Sequence, residues 1–103
     1  MGAQHRGAAV SSDGFDPLIH APHRLQICAI LDTVDKTEFA LLRERLDVSE
    51  SVLSKQVKAL EDAGYVKVTK ATRAGRVRSW AAFTKAGRAA YRGHVEALRA
   101  IVG

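Results

Sequence analysis

The sequence predicts a mainly α-helical fold with one β-hairpin, an α+β class, and three observations carry that expectation. Apolar residues recur at helical spacing in four separate segments, and two runs between residues 65 and 83 alternate with period two. The chain has only 103 residues, 47% of them apolar, enough for one small core and no second one. A domain of this size buries about 60–70% of its unfolded surface, so an apolar face without an intramolecular partner is a candidate for covering by a second subunit.

Residues 1–14 show neither periodicity and end in the turn-prone Ser11-Ser12-Asp13-Gly14, so a flexible tail is expected there, followed by one domain over residues 15–103. Pro22 suits the first turn of a helix through Arg24–Leu31, because its missing N–H would have no intrahelical partner. Leu25, Ile27, Cys28, Ile30 and Leu31 make that helix apolar around much of its circumference. The polar break Asp32–Lys36 precedes a second helix over Glu38–Leu46, with Asp35 and Glu38 at capping-box spacing or Thr37 as the direct cap. Asp47-Val48 then leads to Ser49, a good N-cap for a third helix over Glu50–Ala63 that Gly64 can end. The connection between these two helices, about three or four residues, has the length of a helix-turn-helix turn.

On the third helix Val52, Leu53, Val57 and Leu60 share one side, and Ser51, Ser54, Lys55, Lys58 and Asp62 the other. Tyr65–Thr69 and Arg76–Phe83 are the expected strands, and residues 70–75 between them suggest a long hairpin connection rather than a tight turn. Thr84 can cap a last helix whose Tyr91, Val95, Leu98 and Val102 form an apolar seam almost to the chain end. That seam is expected to fold back partly on the first helix and partly against a second copy, with Leu25 joining Tyr91, Val95, Leu98 and Val102 in a homodimer interface.

Charge is distributed unevenly. The chain carries 16 Lys and Arg against 11 acidic residues, which alone indicates only a preference for polyanions. Residues 64–103, however, hold nine basic side chains and the single acid Glu96, net +8, while residues 31–63 are net −3. Lys67, Lys70, Arg73, Arg76 and Arg78 surround the hairpin with no carboxylate among them.

No stretch reaches the ~18 continuous apolar residues of a membrane span, and the N-terminus lacks a secretory apolar run, so a soluble cytoplasmic chain without a membrane partner is expected. The lone cysteine, Cys28, forms no intramolecular disulfide and supplies no thiolate-rich zinc site. Within an apolar helix it is expected to be a small core residue rather than a redox sensor. His20 and His23 flank Pro22 without helical continuity between them, so no metal site is expected. Trp80 shares a strand face with Arg76 and Arg78, yet an aromatic at the root of a hairpin is more often packed against a helix. No nucleophile elbow, phosphate loop or HExxH motif accompanies the serines and threonines, which argues against an enzyme and leaves no cofactor implied.

Helix, helix, short turn, helix and then a basic hairpin is the order of a winged helix-turn-helix. The run Ser54–Val66, ending in Leu60-Glu61-Asp62-Ala63-Gly64-Tyr65-Val66, followed by Gly75-Arg76 and by Phe83-Thr84-Lys85-Ala86-Gly87-Arg88, resembles winged-helix transcriptional regulators of the MarR and ArsR type. It is most similar to the small MarR-like group whose chain is little more than the DNA-binding domain, and the resemblance covers about residues 16–102.

The resemblance implies a homodimer that sets each third helix in a major groove of double-stranded DNA and each wing along the backbone or minor groove, most simply as a repressor. Base reading is carried over to Ser51, Ser54, Lys55 and Lys58, and to Gln56 although it projects towards the apolar side. Phosphate or minor-groove contact goes to Arg73, Arg76 and Arg78. The chain departs from the family pattern in three places, the first being that ArsR-type metal sensing often uses paired cysteines in a helix and this chain has only Cys28. Asp47 stands where the turn often has Gly, so the turn either keeps negative φ or Asp adopts the left-handed region; and the wing lacks the Asp-x-Arg of many larger relatives. A protein-interaction winged helix and a non-specific DNA-binding protein are the alternatives, and the residues identify no small-molecule effector.

Overall fold

A computed structural model describes residues 13–103. Its elements are α1 (Pro17–His20), α2 (Pro22–Leu31), β1 (Thr37–Glu38), α3 (Phe39–Leu46), α4 (Glu50–Asp62), β2 (Val66–Arg73), β3 (Arg76–Phe83) and α5 (Lys85–Val102). The strands form an antiparallel sheet of order β1-β3-β2, and the whole is a winged helix-turn-helix.

The core lies where α2, α3, α4 and the base of the hairpin meet. Ile27, Cys28 and Leu31 of α2 are fully buried with Leu42 of α3, Leu53 and Leu60 of α4, and Ala81 of β3. This is the apolar side of α2, α3 and α4 withdrawn from water, except that Val52 of α4 stays 37% exposed. Burial pushes the Cys28 thiol up to about 12, with the nearby Asp16 carboxylate adding to the effect. The thiolate is therefore suppressed at neutral pH, as suits a core residue.

Three polar devices fix the helices. Ser49 Oγ accepts from the Val52 N–H at 3.2 Å and Thr84 Oγ1 from the Gly87 N–H at 2.9 Å, each capping its helix as expected. Arg88 donates to both the carbonyl and the carboxylate of Asp32, at 2.8 and 3.0 Å, which ties the end of α2 to α5. Asp16, fully buried, accepts from Leu18 N–H at 3.0 Å and from Tyr65 Oη–H at 2.6 Å, while its own N–H donates to His94 Nδ1 at 3.0 Å. One residue thus joins α1, the start of the hairpin and α5. Gly87 permits the same convergence, since a Cβ there would collide with the Tyr65 backbone.

Several sequence expectations are corrected. The second helix starts at Phe39, and neither Thr37 nor the Asp35–Glu38 pair caps it: Thr37 and Glu38 form β1, opposite Ala81 and Trp80 of β3. Strand pairing claims these residues because β3 would otherwise leave its outer edge bare at the core. The hairpin connection is not long. The ladder runs out to Arg73 opposite Arg76, leaving only Ala74 and Gly75, both with positive φ (52° and 75°), the backbone that two-residue turns need to match strand twist.

The third helix ends at Asp62, with Ala63 as its C-cap and Gly64 at φ 80°. Asp47 resolves its alternatives by adopting φ 56°. Trp80 is half-buried beneath the Lys36 ammonium, 4.8 Å from the ring centroid, and not in the helical core. The short α1 was not foreseen. Of the tail expected over residues 1–14, residues 1–12 lie outside the described residues; Gly14 sits against the Gly93 backbone, where a Cβ would approach the carbonyl oxygen to 2.9 Å.

Candidate nucleic-acid interface

Two surfaces carry the residues singled out in the sequence, and the fold sets them beside one another. The first is the exposed face of α4. Its buried face (Leu53, Val57, Leu60) docks on the core, so the helical period turns Ser51, Ser54, Lys55 and Lys58 to solvent. The left-handed Asp47 makes the abrupt change of direction between α3 and α4 that presents this face. Ser51 Oγ lies 3.2 Å from Ser49 Oγ.

Lys55 has no ion-pair partner among the described residues. Lys58 donates to Asp62 Oδ1 at 3.0 Å, one turn on, and this contact raises its pKa. Both partners are largely exposed, so the pair contributes little and exchanges readily for another anion. Gln56 stands apart: its Oε1 accepts from Arg24 Nη1 at 2.7 Å, and Arg24 Nε in turn donates to the Leu18 carbonyl. Its side chain is thus engaged at the α1–α2 side and is not on the exposed face.

The second surface is the wing. Val66 is buried and Val68 half-buried against the core, so alternation puts Lys67 and Arg73 of β2 on the opposite, solvent face, with Arg76 and Arg78 of β3. Arg73 and Arg76 are directly paired across the strands beside the turn. Two like charges at that spacing repel, and neither has a carboxylate partner among the described residues. Arg78 differs, because its Nη1 donates to both carboxylate oxygens of Glu38 at 3.0 and 3.2 Å.

Between α3 and the wing lies a cleft of about 380 Å³, lined by Glu38, Phe39, Arg43, Arg76 and Arg78 among others, with Glu50 at the start of α4. It opens where two-residue β1 stops and the β3 edge is uncovered. Arg43 and Glu50 pair in its wall at 3.6 Å. Sequence reasoning missed Arg43, Glu38 and Glu50 here; the first two lie in a helix and strand whose register no local pattern reveals.

The residues expected at a subunit contact are dispersed along the fold. Leu25 and Tyr91 pack onto the chain's own core, Tyr91 with its ring 6.0 Å from that of Phe83. Val95 and Leu98 are half-buried and Val102 is 82% exposed, beside Ile101 at 64%. Missing from the sequence reading was His94, buried on the inner side of α5. Its Nδ1 accepts from Asp16, so its proton is on Nε2, which donates to His20 Nδ1 at 3.2 Å. Burial first, and the neighbouring His20 second, hold the His94 pKa below its ordinary value.

Among the described residues no group of three or more His, Cys, Asp and Glu is placed to hold a metal ion, and no helix is long and apolar enough to cross a membrane.

Comparison with known proteins agrees with this geometry. A family described as a winged helix DNA-binding domain matches residues 23–102. An uncharacterized protein of Methanocaldococcus jannaschii is 32% identical over 72 residues, covering 70% of this chain and 78% of that protein. Among solved structures, a transcriptional regulator homologue from Pyrococcus horikoshii superimposes with a TM-score of 0.77 at 27% identity, over 82% of this chain and 84% of its own. The YusO protein from Bacillus subtilis superimposes with a TM-score of 0.72 at 22% identity, over 80% of this chain and 57% of its own, a likeness of fold.

Proposed function

This chain belongs to the winged helix DNA-binding domain family, and we propose on that premise that it is a homodimeric, sequence-specific regulator of transcription that represses by occupying its operator. One observation carries the reading: an α4 face of hydroxyls and uncommitted Lys55 stands beside a wing tip of two uncommitted guanidiniums, Arg73 and Arg76. A helix fits the major groove of B-DNA, where hydroxyls and Lys heads reach base edges. An Arg-tipped hairpin suits the negative potential of a narrow minor groove or the adjoining phosphates. Ser51, Ser54 and Lys55 are the base-reading residues in this account, with Lys58 joining them by exchanging Asp62 for DNA. Arg73 and Arg76 hold the backbone or minor groove. The half-buried seam of Val95 and Leu98 with exposed Ile101 and Val102 is the contact with a second copy. The reading assigns no catalytic step, and such a regulator works in the cytoplasm, where its operator is.

The two sets of residues separate by sequence dependence. Lys55→Ala should cost about 1–3 kcal/mol on the preferred duplex and much less on random DNA. Arg73→Ala and Arg76→Ala should weaken both equally and reduce the salt slope by about one per lost phosphate contact. Equal losses from Lys55→Ala on both duplexes, measured by fluorescence anisotropy, would remove Lys55 from the base-reading set.

A further inference from the structure

We infer that Glu38 attenuates DNA binding: it occupies Arg78 as an internal stand-in for a DNA phosphate and so holds down sequence-independent affinity. The inference rests on the DNA-binding reading above. Arg78 is the one wing arginine of the three on the solvent face that is committed, and both oxygens of Glu38 accept from its Nη1. The commitment is built by topology. Glu38 pairs with Trp80 across β1 and β3, and Arg78, two residues before Trp80, shares its face, which brings the diagonal neighbours within reach.

Among the described residues no other group bonds to this carboxylate: Glu38 stands at the N-cap of α3 but makes no side-chain capping bond. Glu38 is half-buried and Arg78 more exposed, at 28% and 45% of their side-chain surfaces. The guanidinium is therefore within reach of an outside anion while its partner is held in place. Both line the cleft between the wing and α3, with Glu50 at the start of α4 also in its wall, where a duplex backbone passes if α4 and the wing occupy neighbouring grooves.

A phosphate arriving there must displace Glu38. Arg78 then contributes only the difference between two anions, and binding releases fewer counterions than a free arginine would. The loss falls on the backbone contribution that random DNA and an operator share, so it lowers both affinities by a similar factor. The chain thereby limits its own non-specific binding.

The test measures affinity of the full chain for a random-sequence duplex across a salt series. Glu38→Gln, nearly isosteric, should bind about two- to fivefold tighter at ~0.1 M salt, the gain expected from freeing an exposed pair, with a log–log slope steeper by up to about 0.9. Glu38→Asp, which keeps the charge but withdraws it, should fall between. Glu44→Gln makes the same charge change at an exposed α3 position outside the cleft and should gain less. In an Arg78→Ala background Glu38→Gln should gain no more than Glu44→Gln does. A gain that persists without Arg78, or that Glu44→Gln matches, overturns the inference in favour of net charge. A loss of binding by Glu38→Gln at unchanged melting temperature overturns it too, because Glu38 would then be positioning Arg78 for DNA. If the unaltered chain binds the duplex and Glu38→Gln binds it no better, this inference alone falls; if neither binds even at low salt, the DNA-binding reading falls with it.

Discussion

His94 and Thr37 show how single side chains set the balance of this fold. His94 accepts a buried N–H through Nδ1, so a second proton has no place to go without breaking that bond. Its pKa is lowered from 6.5 by burial and by His20, so the unfolded chain takes up a proton before the native one. The contribution of His94 to stability is therefore fully present above about pH 6.5 and is lost progressively as pH falls below that value. Urea denaturation between pH 8 and 5.5 should show this decline. His94→Asn, whose Oδ1 can accept the same N–H but does not titrate, should be less stable at pH 8 with a flatter profile; an unchanged slope would place the titration elsewhere.

Thr37 Oγ1 is buried with no hydrogen-bond partner among the described residues. Thr37→Val keeps the branched shape and removes the unsatisfied hydroxyl, so it should raise stability by about 1 kcal/mol in the same assay. Neither residue was legible beforehand. The α5 seam drawn through Tyr91, Val95, Leu98 and Val102 passes beside His94, and a polar residue inside a helix carries no sign of which neighbours satisfy it. Gln56, by contrast, was already marked by its position between Val52 and Leu60, and Arg24 explains why a polar side chain can face that way.

At the level of elements, what could be read followed from length. α2, α3, α4 and α5 run 10, 8, 13 and 18 residues, enough turns for an apolar period to declare itself, and Ser49 and Thr84 declare two of their starts. The four residues of α1 and the two of β1 give no period. β1 exists because β3 lies beside it, a non-local cause. The wing turn was misread for a different reason: left-handed backbone is signalled by Gly or Asn, and Ala74 is neither. Holding Ala at φ 52° is unfavourable, so Ala74→Asn, which gives the preferred Asn-Gly turn, should stabilise the hairpin by about 0.5–1 kcal/mol. Slower amide exchange confined to β2 and β3 is the expected result. Faster exchange there would show that the turn relaxes in solution to another form.

For the molecule as a whole, the concentration of positive charge in residues 64–103 was visible in the sequence, but its division was not. Arg78 joins Glu38, Arg88 and Arg92 join Asp32, and Arg99 joins Glu96, which leaves Arg73 and Arg76 as exposed guanidiniums of the wing with no carboxylate partner among the described residues. Pairing across the fold decides which charges face outward, and it depends on register rather than composition. The winged helix itself was legible because its order of elements and the joins at Leu60–Val66 and Thr84–Arg88 are local.

In the proposed dimer, the exposed end of α5 is covered by a second copy. Ile101→Glu with Val102→Glu alters side chains that are 64% and 82% exposed, so the fold should survive. Sedimentation should then report the 11.2 kDa chain where the unaltered protein reports twice that mass; a dimer that persists would move the contact elsewhere.

The central claim is that α4 and the wing together read a DNA sequence. The most direct measurement is a titration of the full chain into labelled duplex from its own upstream region and into a scrambled duplex of equal length, at two salt concentrations. The account predicts binding to the upstream duplex at least ~10³-fold tighter, with the preference retained as salt rises. Equal affinity for both duplexes, or binding to neither, would contradict it.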